Sequence, residues 1–156
     1  MLNAEDYTHF RDTMPVVSVD LIVFNSEGKA LLGKRLNEPA RGSWFVPGGR
    51  LWKDESLSDA TRRISKAEFG VELSPVRTLG TYEQVYTDTD KGRHFITLAV
   101  IAHMPPDAAS GPLNHDDQHS ELKWWDTTEL VGSSSVHLYS KSYFSPSPWN
   151  QIGGNF

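Results

Sequence analysis

The chain has 156 residues, a formal net charge of -5 and no cysteine. That excludes disulfide frameworks, thiolate nucleophiles and thiolate metal sites, and it argues against general attraction to nucleic acid. The length suits a single domain with a sizeable core, the N-terminal stretch lacks a basic-then-apolar signal pattern, and the longest apolar runs, LIVF and LAVIA, are too short to span a bilayer.

The expectation is therefore a cytoplasmic protein without a membrane or nucleic-acid partner, in which an anionic ligand is held by local arginines or by a metal. In chain order, Ala4 to Thr13 reads as a short helix stopped before Pro15. Two strands follow, PVVSVDLIVFN and KALLGKR, joined by the turn residues NSEG as a β-hairpin. Asp20 lies on the same strand face as Ile22 and Phe24, where an unpaired charge is costly. If the NSEG turn sets the register, Gly33 lies opposite Asp20 and Arg35 is its diagonal neighbour, close enough for an ion pair.

The next segment, GGRLWKDESLSDATRRISKAEFGV, predicts a helix that starts near Ser56 and stops at Gly70. Leu57, Ala60, Ile64 and Ala67 fall at helical spacing on one face, which predicts a buried side. Glu68 is only about 40° from Ile64 around the helix, so its carboxylate borders that face and needs a cation. Further strands are predicted at VRTLGTYEQVY, RHFITLAVIAHM and ELKWWD, and helices at TTELV and VHLYSKSYF. The tail SPSPWNQIGGNF predicts an irregular end, so the ordered core runs from about residue 1 to 145 of one domain spanning 1–156. The class is mixed α+β.

The glycines of GGR, then Glu55, Arg63, Glu68, Gly70 and Val71, form a pattern that resembles the box of the Nudix hydrolases. Six positions match: Gly49, Glu55, Arg63, Glu68, Gly70 and Val71. The pattern departs at Ile64, Ser65 and Ala67, and at Ile64 and Ala67 the family carries glutamates. Features at TMPVVSVDLIVFNS, LLGKR, EPARGSWFVPGGR, KDESL, AEFG and DDQH resemble one branch with the same losses, the GDP-mannose mannosyl hydrolases. The resemblance covers roughly residues 1 to 145. It implies the Nudix fold, a mixed β-sheet sandwiched between helices, and a homodimer. It further implies one Mg²⁺ held by Glu68, the Gly48 carbonyl and Gln118, with the diphosphate gripped by Arg35, Arg50 and Arg63. Asp20 and Arg35 then bind sugar hydroxyls, although an ion pair between them explains their spacing equally well.

Ordinary chemistry of that family sends water to phosphorus with help from the box glutamates, and Ile64 and Ala67 can neither ligate a metal nor accept a proton. One metal on the diphosphate does its best work by stabilising departing GDP, which points to attack at carbon. A nucleoside diphosphate on Mg²⁺ is already a good leaving group, so one base suffices. His119, in a segment that reads as a polar, mobile loop, is the candidate base because imidazole titrates near neutrality. His115, His94 and His103 are read as surface or sheet residues. The expected reaction is hydrolysis of GDP-mannose, with GDP-glucose as a further substrate, to GDP and free hexose with inversion. The alternatives are a pyrophosphatase for another nucleotide sugar, with Asp54, Glu55 or Glu72 helping water, and an inactive nucleotide-sugar-binding module. Trp44, Trp52 and Tyr82 are candidate stacking surfaces for the base.

Overall fold

The computed structural model describes residues 2–87, 91–111, 113 and 119–153. The first helix, α1 (Ala4–Thr13), is capped by the Asn3 side chain, which accepts from the Asp6 amide, and it ends before Pro15 as the sequence predicts. β1 (Val16–Phe24) and β2 (Ala30–Arg35) form the expected hairpin, turned through Gly28 at φ 75°. Two short strands follow that periodicity does not reveal, β3 (Trp44–Phe45) and β4 (Gly48–Arg50). Next come α2 (Leu57–Phe69), β5 (Arg77–Tyr86) and β6 (Arg93–His103). The chain continues through α3 (Pro106–Ala109), β7 (His119–Trp125), α4 (Thr127–Gly132) and α5 (Leu138–Ser142). The expected irregular tail is corrected at Gln151–Ile152. These residues form β8, which pairs with Thr81 and Tyr82 of β5.

The strands make one mixed sheet in the order β3-β2-β1-β6-β5-β8, with β4 added to β1 and β7 added to β2. β1 runs parallel to β6 along its whole length and alternates its side chains between two cores. Val19, Leu21 and Val23 pack with Leu31, Ile64, Phe69 and Val100 on the face covered by α2. On the other face Ile22 packs with Trp44, Tyr82, Ile101, Trp125, Leu130, Val136 and Tyr143, under α4 and the region of α5. The α+β architecture with a sheet between helices is as expected. Among the described residues, no helix is long and apolar enough to cross a membrane.

One feature of the sheet positions the site. β1 and β2 pair only at their hairpin end, through Phe24 and Ala30. Beyond that they diverge: β1 takes β4 as its antiparallel partner through Ser18–Arg50, Val19–Gly49 and Asp20–Gly48, while β2 pairs with β3 and β7. The expected pairing of Gly33 across from Asp20 is therefore corrected. Gly33 faces Phe45 of β3 and Leu122 of β7, and Asp20 faces Gly48. The fork opens the sheet, and a cavity fills it.

The helix α2 starts at the Ser56 cap and stops at Gly70, which takes the left-handed conformation at φ 79° that glycine tolerates best. Its buried face is shifted from the predicted one. Ala60, Thr61, Ile64, Ser65, Glu68 and Phe69 are buried, whereas Ala67 is exposed. The apolar spacing is satisfied by Ala67 only in projection; the helix rolls towards Thr61, Ser65 and Glu68. The Ser65 hydroxyl tolerates burial because it accepts from the Leu73 amide at 2.9 Å and donates to the Arg62 carbonyl at 3.1 Å.

Candidate active site

A cavity of about 370 Å³ occupies the fork, lined among others by Asp20, Arg35, Gly48, Arg50, Glu68 and His119. The fold thus brings together residues from β1, β2, β4, α2 and β7 that lie up to a hundred positions apart in sequence.

His119 is corrected from a loop residue to the first residue of β7, buried at 3 % exposure and paired in register with Arg35. Its ring lies over Gly33, where an added Cβ would meet His119 Cδ2 at 2.5 Å. Glycine at 33 is what admits the imidazole. Interior strand glycines mark such close approaches, so LLGKR held the signal for a site residue that sequence reasoning missed. His119 Nδ1 lies 3.3 Å from Glu68 Oε2, and Glu68 is itself buried. An imidazole thus stands beside the buried Glu68 carboxylate, whose position calls for a cation.

Asp20 is half-buried, and it does face the side of Ile22 and Phe24. Its Oδ2 accepts from the Tyr143 hydroxyl and, at 3.3 Å, from Gln84 Nε2. Burial pushes its carboxyl up to about 6, against the opposing pull of the Tyr143 and Gln84 hydrogen bonds and the Arg35 charge. On the opposite side, Asp20 Oδ1 occupies the space where a side chain on Gly48 would begin. Gly48 is needed for that packing, which explains one of the two box glycines. The other, Gly49, faces Ile64, whose Cγ1 would lie 3.1 Å from an added Cβ.

The arginines separate into two groups. Arg35 and Arg50 line the cavity with Arg11 and Arg93, two residues with no distinguishing signal in the sequence. Arg35 donates from Nε to the Pro39 carbonyl at 3.0 Å and lies over the Phe45 ring, while Arg50 stacks on Tyr7 at 3.7 Å. Arg63 does not join them. Its Nε and Nη2 donate to the two oxygens of Glu55 at 2.6 and 2.8 Å, Nη2 also donates to the Arg50 carbonyl at 2.8 Å, and the guanidinium covers Trp52. Glu55, bidentate, holds the guanidinium expected to contact the diphosphate, and the pair braces the loop that carries Arg50. The Glu55 carboxyl is held below its usual range chiefly by that hydrogen bond.

The carboxylates offered by the alternative reading are also placed elsewhere. Glu55 is bound to Arg63, Asp54 is exposed beside Lys53, and Glu72 is exposed. Trp44 and Tyr82 are core residues and so offer no base platform, while Trp52 is exposed outside the cavity lining with Arg63 over one face. His94 faces Glu83 at 3.0 Å and His103 is exposed. Gln118 and His115 lie outside the described residues.

The residues fit a hard cation. A buried carboxylate and the backbone of the glycine strand β4 are oxygen donors of the kind Mg²⁺ prefers, and the cationic rim suits phosphate. Among the described residues, no group of three or more His, Asp or Glu side chains converges as a metal cage. A metal here needs oxygens beyond those side chains, as a bound diphosphate provides.

Comparison with known proteins places this geometry in context. The NUDIX domain model matches residues 14–145. The low-salt glycan biosynthesis protein Agl8 of Haloferax volcanii is 43 % identical over 134 residues, covering 83 % of this chain and 80 % of that protein. An RNA pyrophosphohydrolase of Hydrogenovibrio crunogenus is 34 % identical over 125 residues, 78 % of this chain and 73 % of its own length. The crystal structure of a MutT protein from Methanosarcina mazei Go1 superimposes with a TM-score of 0.71 over 85 % of this chain and 92 % of that one, at 21 % identity. That last likeness speaks for the fold.

Proposed function

The chain belongs to the Nudix family of hydrolases, and from that premise we propose that it hydrolyses a GDP-hexose, GDP-mannose first, at the anomeric carbon. The observation that carries this reading is the acid inventory of α2 where it borders the cavity. Ile64 is packed into the core beside Gly49, Ala67 is exposed, and Glu68 is the carboxylate of α2 that lines the cavity, with His119 against it. The carboxylates that would direct water onto phosphorus are missing from the helix, while an imidazole from β7 has taken a buried place beside Glu68. The 43 % identity to a protein named for glycan biosynthesis supports a nucleotide-sugar substrate.

In this reading Glu68, the Gly48 carbonyl and Gln118 would hold Mg²⁺, which would supply charge stabilisation for the departing nucleoside diphosphate. Arg35 and Arg50 bind and orient the diphosphate oxygens, and Arg63 acts on them only through the loop it braces. Asp20 and Arg35 hold the hexose. A carboxylate oxygen of Glu68 at His119 Nδ1 favours the tautomer protonated there, which makes Nε2 the basic nitrogen. His119 then takes the proton of a water attacking from the face opposite the leaving diphosphate, which predicts a β-hexose as first product from an α-linked substrate. The resemblance in sequence also supports a homodimer.

Hydrolysis in ¹⁸O-water tests the bond cleaved. The expected products are labelled hexose and unlabelled GDP, with His119→Gln slower by about 10²–10⁴-fold. Label in a phosphate would overturn carbon attack and make the enzyme a pyrophosphohydrolase.

A further inference from the structure

We propose that Tyr143 and Gln84 are positioning residues for sugar recognition, acting through Asp20. The proposal rests on the reading of Asp20 as a contact to the hexose and assigns how that contact is aimed and what it selects.

The geometry is a closed chain of hydrogen bonds in the cavity wall, to which Gln84 and Tyr86 contribute with Asp20. Tyr86 donates from its hydroxyl to Gln84 Oε1 at 3.2 Å, which fixes the orientation of the amide. Gln84 Nε2 then donates to the Tyr143 hydroxyl at 2.6 Å and to Asp20 Oδ2 at 3.3 Å. The Tyr143 hydroxyl, acceptor from Gln84, spends its own proton on the same Asp20 oxygen. Tyr143 and Gln84 are both buried. The Tyr143 ring is held edge-on against Tyr82 at 4.8 Å, so the hydroxyl cannot swing without moving a core residue. Asp20 Oδ2 is thereby saturated by protein donors. Oδ1 lies over Gly48, at the edge of the cavity, as the oxygen left to meet a ligand.

Two consequences follow from the chemistry. An ionised carboxylate accepts hydrogen bonds and donates none. With Oδ2 committed, recognition by Asp20 becomes a demand for a hydroxyl donor at one point in the cavity, which fits a hexose and rejects a deoxy-hexose at that carbon. The relay also gives Tyr143 a role: it follows α5 directly, 123 residues from the carboxylate it serves.

Tyr143→Phe isolates the relay because it keeps the ring packing and removes only the hydroxyl. The expected result is a fall in kcat/KM for GDP-mannose of about 10–100-fold, the scale of a misplaced or weakened charged contact. Inhibition by GDP, which lacks the hexose, should stay within about twofold, whereas general distortion of the site would weaken both. In an Asp20→Asn background, Tyr143→Phe should have no further effect on kcat/KM. Unchanged kcat/KM in the single variant, a parallel loss of GDP affinity, or full additivity in the double variant would each overturn the proposal. Wild-type enzyme that releases no GDP from GDP-mannose would sink the proposed function as well. An active wild type with an unaffected Tyr143→Phe sinks the relay alone.

Discussion

Asp20→Asn is expected to make the protein more stable and less active, and the size of the first effect follows from the site. The Asp20 carboxyl sits near 6 in the fold against an ordinary value of 3.8, because burial outweighs the hydrogen bonds from Tyr143 and Gln84 and the Arg35 charge. A raised acid pKa means that the folded protein binds the proton more tightly than the unfolded chain does. The ionised form therefore costs stability in full above about pH 6, and the cost fades as pH falls through the range from 6 to 3.8, below which both states are protonated. A gap of about two pKa units corresponds to roughly 3 kcal/mol at full ionisation. Asparagine has nearly the same shape and can still accept from Tyr143, so most of that cost should be recovered. For a chain of this size it amounts to a rise in Tm of about 5–10 °C at pH 8. Thermal melts of both proteins in EDTA, from pH 4 to pH 8, measure it. The variant should lead at pH 8 and lose its lead between pH 6 and pH 4. A lead of equal size at both ends, or a variant less stable at pH 8, would refute the view that burial of charge dominates this residue.

Three other outcomes follow from contacts in and around the cavity. Gly33→Ala should displace the His119 ring, since the new methyl would meet Cδ2 at 2.5 Å. Turnover should fall at least about tenfold, with stability lowered by roughly 1–3 kcal/mol, and an unchanged rate would detach His119 from the chemistry. Arg63→Ala should lower stability by about 1–3 kcal/mol by stranding Glu55, which is largely buried, and change KM for the nucleotide sugar only modestly. A KM that rises in proportion to a lost phosphate contact would restore Arg63 to the ligand set. Glu68→Gln should raise the Mg²⁺ concentration needed for half-maximal activity about tenfold or more, because a charged oxygen donor is lost; an unchanged metal dependence in activity titrations would remove Glu68 from the metal site.

What the sequence reveals about this protein is set by the range over which each cue acts. The Ser56 cap, the left-handed Gly70 and the NSEG turn are decided within a few residues, so α2 and the hairpin are legible with their ends. β3 and β4 escape because two- and three-residue strands have no periodicity to read. They exist because β1 and β2 part company, a decision made by the whole sheet. The same parting defeats the register expected for Gly33 and Asp20, since a hairpin turn fixes only the pairs next to it. Arg63 fails for a related reason. A motif gives positions along a helix but not which neighbour a guanidinium will choose, and Glu55 stands closer than the cavity does.

The fork explains why a few residues can alter the chemistry without altering the fold. Gly48 and Gly49 face opposite sides of β4, one leaving space for Asp20 and the other for Ile64. On the α2 side, exchanging a charged box residue for Ile64 adds apolar packing to the core formed by Val19, Leu21 and Phe69. On the other side, Asp20 keeps a charge whose burial works against stability, and it is held there by three donors or charges from β2, β5 and the end of α5. Stability alone would select the opposite at position 20. Under the proposed attack at carbon, a helix without carboxylates facing phosphorus and a costly carboxylate across the same strand pair would place recognition on the sugar side of the cavity. That asymmetry is what the proposed cleavage of a glycosyl bond calls for.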